Sequence, residues 1–189
     1  EAAEEHGRRA LDKKQLPEQM LIAASGELTP FWNEWSKLCT RNQTDTIQLV
    51  HLNTAEGFDL DSSYESMGTL GLDRAANARA VLSEDSDSNW LIIDVGTCIT
   101  TDWVESGTFT GGSIAPGIDL RLRSMYAGTA NLPYPENWRE LAAEGVGLHL
   151  GTNTIESLLA GAIGGANAEL QQRVEAFHTE FGDFRVALT

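Results

Sequence analysis

Apolar and polar positions alternate along the chain in a way that predicts a mixed α/β protein. The charged first fifteen residues, with few apolar positions, predict the end of a helix. Met20-Leu21-Ile22-Ala23-Ala24 is a short apolar run suited to a buried strand, broken by Ser25-Gly26. Leu28 to Leu38 carries apolar residues at helical spacing, and Thr46-Ile47-Gln48-Leu49-Val50 predicts a second strand. Asn53 to Ser66 is polar and predicts a loop. Leu72 to Leu82 returns to a helical period.

The acidic connector Ser83-Glu84-Asp85-Ser86-Asp87-Ser88-Asn89 predicts a domain boundary, dividing the chain into 1–89 and 90–189. Beyond it, Trp90-Leu91-Ile92-Ile93-Asp94 predicts a strand ending in a carboxylate. Cys98 to Val104 and Thr108 to Ile114 follow across short turns, which predicts a three-stranded antiparallel meander. Ala115-Pro116-Gly117 is expected to stop the sheet. Helices are predicted over Ile118 to Thr129 and Thr154 to Val174, and a strand over Phe184 to Leu188. Gly161, Gly164 and Gly165 lie inside the long helix. Each costs about 1 kcal/mol relative to alanine, so they predict close approach by another backbone or a ligand.

Charge narrows the possible partners. Twenty-eight acidic residues face 13 basic ones, for a net charge of −15. Such a surface repels nucleic acid phosphates, so no nucleic acid partner is expected. A nucleotide would have to be held by local amides, a hydroxyl or a metal. The absence of a long apolar run leads to no expectation of a membrane, and the acidic start Glu1-Ala2-Ala3-Glu4-Glu5 does not resemble a secretory signal. Cys39 and Cys98 are far apart and suit reduced thiols in a cytoplasmic protein. None of the four histidines has metal-ligand spacing, and structural or surface roles are expected for all.

Four short motifs could carry chemistry. In Asp94-Val95-Gly96-Thr97 a carboxylate ends a strand, a glycine lets the backbone approach a phosphate, and a hydroxyl follows. Asp94 could hold a cation there, or the residues could simply satisfy an ordinary hairpin. Gly71-Leu72-Asp73-Arg74 pairs a potential proton acceptor with a guanidinium that could anchor a carboxylate, with Tyr64 seven residues ahead of the glycine. Asp73 could equally cap the helix that begins there. Gly111-Gly112-Ser113-Ile114-Ala115-Pro116-Gly117 leads into a helix and suits either an anion or a tight bend. Gly151-Thr152-Asn153-Thr154 opens the long helix, where Thr154 could face a ligand or cap the helix.

Taken in order, with Thr129-Ala130-Asn131-Leu132-Pro133 between the last two, these motifs resemble the type III pantothenate kinases, a family that includes the Bvg accessory factor proteins. The resemblance runs from about Tyr64 to Gly161. It implies the two-lobed actin-like ATPase fold of the acetate and sugar kinases. It also implies transfer of the ATP γ-phosphoryl group to pantothenate, giving 4'-phosphopantothenate, in the first step of coenzyme A synthesis. By resemblance Asp73 is the catalytic proton acceptor, and Tyr64, Gly71, Leu72, Arg74 and Thr154 line the pantothenate site with it. Gly96 and Thr97 would contact ATP, and Asp94 would bind a monovalent cation, K⁺ or NH₄⁺, with Mg²⁺ accompanying the nucleotide. A homodimer is implied as well. Nothing before Tyr64 matches the D-x-G-N-T loop that opens the family, and its T-G-G loop would follow Thr189. The resemblance therefore implies a first lobe that starts part-way. Ala75 stands where many relatives carry Trp. A non-catalytic regulatory relative, or another small-molecule kinase of the same superfold, is the alternative expectation.

Overall fold

A computed structural model describes residues 19–23, 48–52, 55–146 and 149–189. The helix expected over Leu28 to Leu38, the one expected in the first fifteen residues, and Cys39 lie outside them. The chain divides into two compact units, one of residues 1–60 and 65–79, the other of 61–64 and 80–189. The division falls inside a helix, ahead of the Ser83–Asn89 connector.

In the first unit, β1 (Gln19–Ala23) pairs in parallel with β2 (Gln48–Leu52). A 3₁₀ turn at Ala55–Phe58 and another at Met67–Thr69 lead to α1 (Leu72–Glu84), which continues into the second unit. Ala55, Phe58, Leu70, Leu72, Ala75 and Ala78 are buried.

The second unit is built on a four-stranded sheet. β3 (Trp90–Val95), β4 (Cys98–Glu105) and β5 (Thr108–Pro116) form the expected antiparallel meander, and β6 (Arg185–Leu188) joins β3 in parallel, giving the order β5-β4-β3-β6. Proline lacks a ladder donor and is tolerated at the end of an edge strand. Ala115-Pro116-Gly117 does stop the sheet, but β5 runs two residues past the expected Ile114 and stays in register as far as the Cys98–Pro116 pair.

α2 (Ile118–Gly128) follows, then the short α3 (Trp138–Ala143), which sequence periodicity had not indicated. The last helix is not uniform. α4 (Thr154–Leu159) passes through a π turn (Ala160–Gly164) into α5 (Gly165–Phe181). A Cβ added at Gly161 or Gly165 would meet nothing within 4 Å, so close approach within this chain does not explain them. The glycines instead occupy the stretch where helical geometry changes, as π turns often do at functional helices.

Alternation on the strands sorts the sheet faces. Leu91, Ile93 and Trp103 turn toward α5, packing with Leu170, Val174, Phe177, Phe181 and Phe184. Trp103 stacks on Phe181 at 4.8 Å between centroids and meets Phe184 edge-on. Its buried Nε1 has no hydrogen-bond partner among the described residues. A second cluster joins Leu122 of α2 to Leu158, Leu159 and Ala162 of the last helix.

Candidate active site

The start of α1 is shaped by Gly71. Its carbonyl accepts from the Ala75 amide at 3.1 Å, and Asp73 Oδ1 accepts from the Arg74 amide at 2.9 Å. A Cβ at Gly71 would sit 2.4 Å from Asp73 Oδ1, so glycine is needed for the carboxylate to fold back over the helix start. Asp73 thus does satisfy a first-turn amide, as a capping carboxylate would, yet its side chain is exposed. Asp73 Oδ2 has no hydrogen bond among the described residues. Leu72 and Arg74 are buried on the other side of the turn.

In the second unit, the β3–β4 hairpin carries the other expected group. Asp94 stands opposite Thr100 in the ladder, and Gly96 and Thr97 form the exposed tip. The Gly96 amide donates to the Cys98 carbonyl at 2.9 Å, closing the turn. Above Gly96, the point where a Cβ would stand lies 3.5 Å from Asp94 Oδ1 and 3.7 Å from the Cys98 carbonyl. Those are ordinary van der Waals distances, so a side chain at this position would be tolerated sterically. The strand face that bears Asp94 also bears Thr100 and Asp102, both buried, with Thr100 Oγ1 donating to Asp102 Oδ2 at 3.3 Å. The sequence shows these residues, but only the ladder register puts them on one face.

Gly111-Gly112-Ser113-Ile114-Ala115-Pro116-Gly117 is a close-packed strand and bend. Gly111 has φ +133° beside the β4 bulge, and Tyr64 Cδ2 lies 3.4 Å from where its Cβ would be. Tyr64 also packs edge-on against Phe109 at 5.8 Å. At Gly112 a Cβ would fall 2.1 Å from the Thr101 carbonyl, and at Gly117 it would fall 2.3 Å from the Gly96 carbonyl. The second contact locks the bend against the hairpin tip.

At the head of α4 the cap belongs to Asn153, whose side chain accepts from the Glu156 amide at 3.0 Å. Glu156 reaches back to the Thr152 amide and hydroxyl at 2.8 and 2.7 Å, and these bonds hold its carboxyl below its ordinary value. Thr154 does not cap. It is the first residue of the helix and is exposed. Of the histidines, His178 has a structural role: Nδ1 lies 3.0 Å from the Gly182 carbonyl at the end of α5.

A cavity of about 560 Å³ opens beside the hairpin tip. Val95, Gly96 and Thr97 line it together with Asp119, Arg123, Trp138 and Arg139. Asp119 is bound from three sides, by the Tyr134 hydroxyl, by Arg123 Nε at 2.6 Å and by Trp138 Nε1 at 3.1 Å. The Tyr134 hydrogen bond, with help from Arg123, lowers its carboxyl to about 2. Asp119 and Arg123 are one helical turn apart, but sequence spacing gave no sign of Tyr134 and Trp138, which a loop and the unexpected α3 bring in. Among the described residues no three His, Cys, Asp or Glu side chains converge to hold a metal. A cation at Asp94 would take its remaining ligands from carbonyls, hydroxyls, water or a bound phosphate.

One hairpin tip thus carries a carboxylate, a glycine and a hydroxyl, and the start of α1 sets an exposed Asp next to a buried Arg. The sequence profile of type III pantothenate kinase matches residues 4–176. A type III pantothenate kinase of Christiangramia forsetii is 33% identical over 144 residues, covering 75% of this chain and 56% of that protein. One of Cytophaga hutchinsonii is 33% identical over 156 residues, covering 79% and 64%. A solved Baf family structure from Campylobacter jejuni superposes with a TM-score of 0.48 at 16% identity, covering 93% of this chain and 70% of that one. The chain belongs to the type III pantothenate kinase family. It spans 56% and 64% of the length of the two curated relatives described.

Proposed function

We propose that the protein containing this chain transfers the ATP γ-phosphoryl group to the primary hydroxyl of pantothenate, forming 4'-phosphopantothenate and ADP. The observation that carries this reading is Asp73. One carboxylate oxygen is oriented by the Arg74 amide and the other has no partner among the described residues, on an exposed helix start. That is the arrangement of a general base that can take a proton from an incoming hydroxyl. The hydroxyl oxygen bonds to the γ-phosphorus, the bond to the β,γ-bridging oxygen breaks, and the proton passes to Asp73. Tyr64, Gly71, Leu72, Arg74 and Thr154 are proposed to line the pantothenate site, in keeping with the family.

Phosphoryl transfer depends mostly on positioning and on neutralising charge. Gly96 and Thr97 are proposed to meet ATP. Asp94, a carboxylate at the hairpin tip with Thr100 opposite it in the ladder, is proposed to hold a cation that prefers oxygen ligands. K⁺ or NH₄⁺ held there, with Mg²⁺ on the nucleotide, would supply positive charge that a chain of net charge −15 lacks. The two compact units are proposed as the two lobes of an actin-like ATPase. A homodimer is proposed too, supported by the exposed apolar side chains Ile114, Tyr126 and Leu150. No described helix is long and apolar enough to cross a membrane. A cytoplasmic setting is part of the proposal.

The reading is tested by incubating the full-length gene product with ATP, Mg²⁺, K⁺ and pantothenate and following 4'-phosphopantothenate. Turnover supports it. Phosphorylation of a different hydroxylated acid or sugar, with pantothenate untouched, overturns the substrate.

A further inference from the structure

The hairpin that carries Asp94, Gly96 and Thr97 is braced from outside by residues with no assigned part in the reaction. The Gly117 amide donates to the Thr97 carbonyl at 3.0 Å, so the bend after β5 holds the tip directly. Pro116, the residue before, is opposite Cys98 in the ladder. Its carbonyl accepts from Arg121 Nε at 2.8 Å, and the other end of that guanidinium reaches Glu169 Oε2 of α5 at 2.6 Å. The Arg121 amide itself donates to the Gly117 carbonyl at 2.9 Å. One planar guanidinium therefore ties a strand end to a helix, which suits its fixed fork of donors. The hydrogen bond from Arg121 holds the Glu169 carboxyl below its ordinary value.

We propose that Arg121 and Glu169 are positioning residues for the proposed phosphoryl transfer: through Pro116 and Gly117 they fix the hairpin tip where Asp94 and Thr97 meet the cation and the nucleotide. The route is short and continuous within one compact unit: three hydrogen bonds and the Pro116–Gly117 peptide bond. Arg173 adds a weaker contact to Glu169 Oε1 at 3.4 Å and does not touch the bend, which makes it the natural control. The inference rests on the kinase reading for its kinetic consequences, but not for its structural ones.

The test uses the full-length gene product with Arg121→Gln, Arg121→Lys, Glu169→Gln and Arg173→Gln. Losing one charge-assisted hydrogen bond should raise the KM for ATP and the K⁺ concentration for half-activation by about three- to tenfold in Arg121→Gln and Glu169→Gln. The KM for pantothenate should stay unchanged. Arg121→Lys should recover part of the loss, and Arg173→Gln should match the parent. Amide hydrogen exchange over residues 95–99 should speed up in the same two variants and not in the control. A purely structural pair would lower the melting temperature and move the ATP and pantothenate constants together, and that result overturns the proposal. If the parent does not phosphorylate pantothenate, the kinase reading has failed, and exchange alone judges the brace. Faster exchange over 95–99 upholds it and unchanged exchange overturns it. Should Arg121→Gln not fold, Glu169→Gln gives the same readings.

Discussion

The Gly117 amide and the Thr97 carbonyl are joined by a 3.0 Å hydrogen bond, and Gly117 has no room for a side chain at that contact. A Cβ would stand 2.3 Å from the Gly96 carbonyl and 2.6 Å from that of Thr97, both of them backbone atoms. Gly117 has φ −68°, which any residue adopts, so the constraint is steric and not conformational. Gly117→Ala should therefore displace the hairpin and cost about 1–3 kcal/mol, the usual scale of overpacking. Thermal denaturation checks the size, and amide exchange over residues 95–99 checks the place. An unchanged melting temperature would mean the bend yields freely.

Gly165 gives the opposite expectation. It has helical φ and ψ inside a continuous helical segment, and a Cβ there would meet nothing within 4 Å. Gly165→Ala should stabilise the protein by roughly 0.5–1 kcal/mol. The melting temperature reads it directly. Destabilisation, worse at low protein concentration, would show instead that a second copy covers this face.

Asp119 makes stability depend on acid. Its carboxyl is lowered from 3.8 to about 2, first by the Tyr134 hydroxyl and then by Arg123. A depressed folded-state value means that its contribution is complete above the unfolded value and is lost as pH falls toward 2. The melting-temperature difference between the parent and Asp119→Asn should be constant from pH 7 to about 5 and shrink between about 4 and 2. A difference that does not change with pH would show that hydrogen-bond geometry alone, not the charge, carries the effect.

At the head of α4, stability and substrate contact should separate between neighbours. Asn153→Ala removes the cap and should cost about 1 kcal/mol. Thr154→Ala leaves the cap in place, so it should leave the melting temperature within about 0.5 kcal/mol of the parent, as surface changes do, while raising the KM for pantothenate. Equal losses of stability would assign Thr154 to the helix and not to the site.

What the sequence revealed follows from how local the cause was. The β3–β4–β5 meander was legible because alternation, β-branched residues and short turns all lie within 27 residues, Trp90 to Pro116. The helix start at Gly71–Asp73 was legible for the same reason. Pro116 did mark the end of β5, though as its last residue, because at an edge position it loses nothing by lacking a donor. The long helix was legible as a helix, but the change of helical geometry at Ala160–Gly164 was not, and no atom of this chain comes within 4 Å of a Cβ at Gly161 or Gly165. α3 is six residues long, too short for periodicity to register. Arg121 and Glu169 are 48 residues apart, and Asp119 is 19 from Trp138, so no spacing rule could join them. The candidate chemistry was legible as residue types. Which of those groups are exposed, braced or hydrogen-bonded was not.

The proposed kinase chemistry turns on Asp73 taking the proton from pantothenate. The most direct measurement is the single-turnover rate of 4'-phosphopantothenate formation by the full-length gene product and its Asp73→Asn variant, with binding of ATP and pantothenate measured alongside. Positioned general bases contribute about 10²–10⁴-fold. The Asp73→Asn variant should fold, bind both ligands and lose a factor in that range. A variant that phosphorylates pantothenate at the parental rate would contradict that role for Asp73.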